Sequence, residues 1–280
     1  MRLARCLLNG EVSVVVHEAE GVKPTGYSDL LALIRDGEDG LRKAREAASA
    51  ASPAEPERLL APLRPPKMLF CGVNYPDHAD ENPDAVMPSE PFFFAKLPNA
   101  VVGPDEPIVI PAPETHTDYE VELAFLVGRT ARRVAREHAL GHVFGYTVAN
   151  DVSARDVQFK DSQITLGKNA DSFAPLGPWV VTADEIPDPS RLHVATYVNG
   201  EMRQQGETQN WLFDIPALIE FLTQTITLEP GDLVTTGTPS GVAAFQDPSP
   251  WLAPGDEVTV EVREIGQLTN PVTAGWTTTR

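Results

Sequence analysis

The sequence predicts a β-rich α+β fold, with a small N-terminal α+β domain ahead of a larger strand-dominated one. Three observations predict it. Short apolar segments of strand character recur from residue 67 onward, only one segment there has the apolar periodicity of a helix, and a cluster of prolines sets this region apart from what precedes it. A regular parallel βαβ array does not fit that spacing.

The chain opens with two apolar runs, within residues 3–16, around Asn9-Gly10. Both central positions of a tight hairpin turn need positive φ, which Asn-Gly supplies, so a hairpin is predicted. Ser28-Asp29 then caps a short helix carrying Leu30, Leu31, Leu33 and Ile34 and ending near Gly37. Residues 40–51, rich in Ala, Arg and Glu, predict a second and more exposed helix. Pro53, Pro56, Pro62, Pro65 and Pro66 exclude continuous helix and predict an extended connection. The boundary is placed there: residues 1–66 as N-terminal domain and Pro-rich linker, 67–280 as the second domain.

Beyond it, strands are predicted at 67–73, 119–127, 143–150, 179–182, 192–199, 232–236 and 257–262. The single convincing helix has Asp214 as N-cap, Pro216 in its first turn, and Ile215, Leu218, Ile219 and Leu222 on one face.

The chain has 280 residues, with 40 acidic against 22 basic side chains and a formal charge of −18. An electropositive stripe is the minimum for coating phosphates, so a nucleic-acid partner is excluded, and an anionic membrane surface would repel the chain. No apolar run approaches the ~18 residues needed to span a bilayer, and the N-terminus turns polar at Asn9 before a signal peptide's apolar stretch could form. Cys6 and Cys71 are too few for a disulfide framework and read as buried thiols of a reducing compartment. A cytoplasmic protein is expected.

Five features bear on chemistry. In Tyr119 to Val127 the odd positions form an apolar face, while Glu120 and Glu122 point together to the other side, followed there by Ala124 and Leu126. A solvated face would continue polar, so Ala124 and Leu126 weaken the plain reading of an outward charged edge. Asp151 ends the next strand, a position often held by a simple turn former. Should it meet the glutamate pair, three carboxylates share one place. Two of them about 4 Å apart already repel by ~4 kcal/mol at an effective dielectric of 20. Such a set needs a cation or retained protons, and its all-oxygen chemistry suits Mg²⁺ or Mn²⁺ before Ca²⁺, and zinc least.

His78 and Glu81, three apart, share one side of a short turn that Pro83 limits. They are either a solvated ion pair or a general base whose tautomer the glutamate sets. Lys168, in a polar loop, is either an ordinary surface lysine or a cation reaching a bound carboxylate or enolate. The turn Thr235 to Gly241 offers amides and hydroxyls to an anion but lacks the lysine of a phosphate loop.

Six segments in order resemble the fumarylacetoacetate hydrolase family, in its acylpyruvate hydrolase-like and 2-hydroxyhepta-2,4-diene-1,7-dioate isomerase-like branch. They are Gly72-Val73-Asn74-Tyr75-Pro76-Asp77-His78, Glu120-Val121-Glu122-Leu123, Asn150 to Gln158, Ser172 to Pro178, Val198-Asn199-Gly200-Glu201, and Gly231 to Pro239. The resemblance implies a mixed β-roll, Mg²⁺ or Mn²⁺ on Glu120, Glu122 and Asp151 (with Ca²⁺ as an in vitro substitute), and a homodimer. It implies a 2-oxo or 1,3-dicarbonyl acid as substrate, typically an acylpyruvate. His78, oriented by Glu81, would activate water for carbon–carbon bond hydrolysis, with the leaving enolate stabilised by metal and Lys168. Arg155, Gln158 and Thr238 match positions lining the family's substrate site. Decarboxylation or isomerisation of a 2-oxo-enedioate is the alternative outcome, and a non-catalytic metal- or ligand-binding protein on the same scaffold a further one. Two departures, Val242 to Pro248 where many relatives carry a basic pair and the apolar Ile164-Thr165-Leu166, point to a less charged distal group on the substrate.

Overall fold

The computed structural model describes residues 1–81, 87–112, 114–160 and 162–275. It is β-rich α+β, as expected. Its main sheet has 11 strands, with a spatial order running Gly21–Pro24, Glu11–Glu18, Arg2–Leu8, Ala174–Thr182, Val143–Asn150, Val121–Val127, Leu233–Thr235, Met68–Gly72 and Phe92–Lys96. Neighbours along this path are antiparallel except Leu233–Thr235 with Met68–Gly72. The N-terminal hairpin enters this sheet through Arg2–Leu8, which pairs Arg2 with Val181 and Leu3 with Val180. Asn9 and Gly10 take φ of 53° and 78°, the left-handed pair the hairpin turn requires.

A second sheet of five strands, Glu201–Glu207, His193–Val198, Glu257–Val262, Gly266–Ala274 and Ile108–Ile110, packs against the first. The helix Ile215–Thr223 starts where expected, with the Asp214 carboxylate accepting from the Ala217 N–H at 3.0 Å. Several strands carry no clear apolar alternation. Glu201–Glu207 is polar along most of its length, and Gly266–Ala274 contains Pro271, which is why neither is predicted.

Strand Val121–Val127 explains the burial of the site. Its odd residues Val121, Leu123, Phe125 and Val127 enter a core shared with Val194, Val258, Val260, Leu268 and Ile219. Ala124 and Leu126 enter a different core, formed with Leu3, Val14, Leu30, Leu33, Ile34 and Phe70. Both faces of the strand are therefore covered, the second largely by the N-terminal segment. The helix Leu30–Arg35 that supplies three of those side chains is capped by Asp29 as predicted.

Candidate active site

Register brings the carboxylates together. Strand Val121–Val127 runs antiparallel to Val143–Asn150 with Val121 opposite Asn150 and Glu122 opposite Ala149. The residue before one strand thus meets the residue after the other: the Asp151 N–H donates to the Glu120 carbonyl at 2.8 Å, and the Glu120 N–H to Asn150 Oδ1 at 3.0 Å. The strand itself begins at Val121, two residues later than predicted. Glu120, Glu122 and Asp151 are all buried, and each offers a carboxylate oxygen within 4.8 Å of the others.

Lys168 does not lie in a surface loop. It closes a one-turn helix, Thr165–Lys168, and is buried, with Nζ donating to Asp151 Oδ2 at 2.7 Å and Glu120 Oε2 at 2.9 Å. Arg155 donates from Nε to Asp118 Oδ2 at 2.9 Å, from one terminal nitrogen to Glu120 Oε1 at 2.5 Å and from the other to Gln158 Oε1 at 3.0 Å.

Two members of the cluster are absent from the sequence-based set. Lys96, fully buried at the end of strand Phe92–Lys96, donates to Asp151 Oδ1, to the Phe173 carbonyl at 2.5 Å and to the Val152 carbonyl at 3.0 Å. A lysine after Phe-Phe-Phe-Ala reads as a strand end whose ammonium reaches water, so nothing local marks it. Asp118 accepts from Arg155 and from the amides of Ala243 and Ala244 at 2.8 and 3.1 Å. Its signal was legible: Asp118, Glu120 and Glu122 alternate with apolar residues.

On the other side of the cavity, His78 sits in the short helix Pro76–Asp80, with Nδ1 2.9 Å from Glu81 Oε2. Glu81 Oε1 accepts from the Gly241 N–H at 2.7 Å, and Asp77 Oδ2 from the Ser240 hydroxyl at 2.9 Å. Asn82 and Pro83, expected to end that turn, lie outside the described residues. The amides of the turn after Thr235 serve the protein's own carboxylates, since the Gly237 N–H also donates to Glu122 Oε2 at 2.6 Å. A Cβ at Gly237, where φ is +81°, would meet the Asn74 Cβ at 2.8 Å, so this approach requires glycine. Thr238 accepts from Gln204 Nε2 at 2.8 Å and faces the same cavity.

That cavity, about 180 Å³, is lined by His78, Glu120, Arg155, Gln158, Lys168 and Thr238 together with aromatic residues. A larger hollow of about 480 Å³ beside His116 and Trp251 has no comparable convergence of buried charges among the described residues.

The charges do not balance. Asp118, Glu120, Glu122 and Asp151 contribute four negatives against three positives from Lys96, Arg155 and Lys168. Burial works to raise the carboxyl of Glu120, but Arg155 and Lys168 overcome it and hold Glu120 far below the usual range. Glu122 has no cationic partner among the described residues, and burial together with Asp151 pushes it well above that range. Burial also raises Asp151, against the opposing pull of Lys168 and Lys96. The Lys96 ammonium is itself pushed down to about 8 by burial.

An under-neutralised set of buried oxygen donors fits a hard divalent cation. Below its raised pKa Glu122 carries a proton that an incoming ion must expel, so affinity for Mn²⁺ rises with pH, by up to about tenfold per unit for each proton released, and levels off once Glu122 is ionised. Calorimetric titration in two buffers of different ionisation heat shows about one proton released per ion at the acidic end. A pH-independent affinity would contradict the unpaired state of Glu122.

The profile of the fumarylacetoacetate (FAA) hydrolase C-terminal domain matches residues 67–273. The chain belongs to the fumarylacetoacetate hydrolase family. Within that family it is 45% identical over 217 residues to a mitochondrial oxaloacetate tautomerase, fahd2 of Xenopus laevis, covering 76% of this chain and 68% of that one. Among solved structures it resembles a fumarylacetoacetate hydrolase from Exiguobacterium antarcticum, with a TM-score of 0.86, 36% identity, and 98% and 99% of the two chains covered. It also resembles the maleylpyruvate hydrolase of Sphingobium sp. SYK-6 in complex with manganese(II) and pyruvate, with a TM-score of 0.81, 33% identity, and 99% and 100% covered. No helix among the described residues is long and apolar enough to cross a membrane.

Proposed function

We propose that this family member is a divalent-metal-dependent enzyme that interconverts the keto and enol forms of a 2-oxo acid. The observation that carries this reading is that His78, held by Glu81, lines the same cavity as Glu120 and Lys168 of the buried carboxylate–lysine cluster. Glu81 accepts from Nδ1–H of His78, a tautomer assigned from this hydrogen bond, and so leaves Nε2 free as a base. Nε2 takes a proton from the carbon beside the keto group and returns it there or to the oxygen, with no net consumption of water. A divalent ion held by Glu120, Glu122 and Asp151 would supply electrostatic stabilisation of the enolate. Lys168, Lys96 and Arg155 hold Glu120 and Asp151 in place, the Gly237 N–H holds Glu122, and Gln158 and Thr238 give the cavity its remaining polar lining. The likeness to an oxaloacetate tautomerase supports this outcome.

Hydrolysis of an acylpyruvate carbon–carbon bond is the second reading. It rests on the same pair, with Nε2 taking its proton from water, and is supported by the likeness to maleylpyruvate hydrolase. The test adds acetylpyruvate or oxaloacetate to metal-stripped protein, with and without Mg²⁺ or Mn²⁺, and follows enol absorbance together with products. Metal-dependent decay with the 2-oxo acid intact is the expected result. Pyruvate plus a second acid from acetylpyruvate establishes hydrolysis, and CO₂ establishes decarboxylation. No metal-dependent change with either compound refutes the enolate reading.

A further inference from the structure

The cavity lining is of two kinds. The polar side chains are Glu120, Arg155, Gln158, Lys168, His78 and Thr238, and the apolar ones are largely Val73, Phe92, Phe94, Phe159, Ile164 and Phe245. Phe92 and Phe159 line the cavity and are 52% and 64% exposed as whole residues, so their rings reach from the cavity into open water. A ligand group that covers part of such a ring gains by removing apolar surface from water.

Each basic side chain lining the cavity is already engaged. Arg155 bonds Asp118, Glu120 and Gln158, Lys168 bonds Glu120 and Asp151, and His78 bonds Glu81. The buried cluster is one charge negative, counting Asp118, Glu120, Glu122 and Asp151 against Lys96, Arg155 and Lys168. A divalent ion would turn that into one charge positive, which a single carboxylate balances. A second carboxylate at the far end of the substrate would lie against aromatic rings with no free cation among the described lining residues, a poorly compensated desolvation.

From this we infer that the substrate is a monocarboxylic 2-oxo acid with an apolar, preferably aromatic, group on the carbon next to the keto group, and that Phe92 and Phe159 set this preference. The inference rests on the enolate reading above for the head group of the substrate and extends it to the tail. Phenylpyruvate and oxaloacetate share the 2-oxo acid head and differ at that tail, so they isolate the effect.

The experiment uses the full chain loaded with Mn²⁺ and measures, for both compounds, the dissociation constant by calorimetry and kcat/KM for keto–enol exchange. Phenylpyruvate is expected to be favoured about tenfold or more in both quantities. In the double variant Phe92→Ser, Phe159→Ser the preference falls toward unity, and since both rings are exposed the fold is retained, as circular dichroism checks. Should phenylpyruvate bind at least tenfold tighter while neither compound is turned over, the proposed reaction fails and the tail preference stands. Oxaloacetate binding as tightly as phenylpyruvate, binding of neither, or an unchanged preference in the double variant overturns the inference.

Discussion

Replacing His78 by alanine lowers turnover of an enolisable 2-oxo acid by about 10²–10⁴-fold, the contribution of a positioned general base. The imidazole is not among the clustered carboxylates, so Mn²⁺ affinity stays near that of the unchanged protein. The loss falls mainly on kcat. Glu81→Gln keeps the shape of the pair but removes the carboxylate that sets the imidazole tautomer, and produces a smaller loss of the same kind. Steady-state kinetics with a parallel Mn²⁺ titration separates the two effects. A His78→Ala protein within a few-fold of wild-type turnover would remove the pair from the chemistry and leave the carboxylate cluster as a metal site alone.

Lys168→Met is expected to cost about 3–5 kcal/mol of stability in the metal-free protein, because it strips a buried cation from Glu120 and Asp151 together. Turnover falls as well, since both carboxylates lose the hydrogen bonds that orient them. Saturating Mn²⁺ raises the thermal midpoint more in the variant than in the unchanged chain, because the ion then meets a cluster with one positive charge fewer. Thermal unfolding with and without Mn²⁺ measures this. An equal shift in the two proteins would mean that Lys168 does not share the carboxylates with the cation. Methionine keeps the length and apolar stem of lysine, which limits the contribution of lost packing near Phe94, whose ring lies 5.0 Å from Nζ.

Much of the site is legible because its chemistry follows local periodicity. Alternation in Tyr119 to Val127 pairs Glu120 with Glu122, and the apolar Ala124 and Leu126 after them argue against a solvated face. A three-residue spacing puts Glu81 beside His78. The Asn9-Gly10 hairpin, the Asp29 cap and the Asp214 cap are equally local, each a matter of one or two residues satisfying a backbone requirement.

Other features have no local signature. Lys96 follows a run of three phenylalanines and an alanine, and only the packing of strand Phe92–Lys96 near Phe173 and Asp151 turns its ammonium into a partner of the cluster. Lys168 likewise reads as a surface residue until the short helix Thr165–Lys168 carries it inward. The turn Thr235 to Gly241 reads as open to an external anion, yet its Gly237 and Gly241 amides donate to Glu122 and Glu81.

By itself, then, the sequence determined the β-rich class, the hairpin and helix starts, the acidic alternation and the histidine–glutamate pair, all of them features whose energetics are settled within a few residues. The tertiary structure alone decided that Asp151 meets Glu120 across a strand register, that two distant lysines neutralise them, and that Glu122 is left without a cationic partner among the described residues. Those are sums of charge and burial over segments far apart in the chain, and their magnitude depends on distances and on a covering layer that no local pattern encodes.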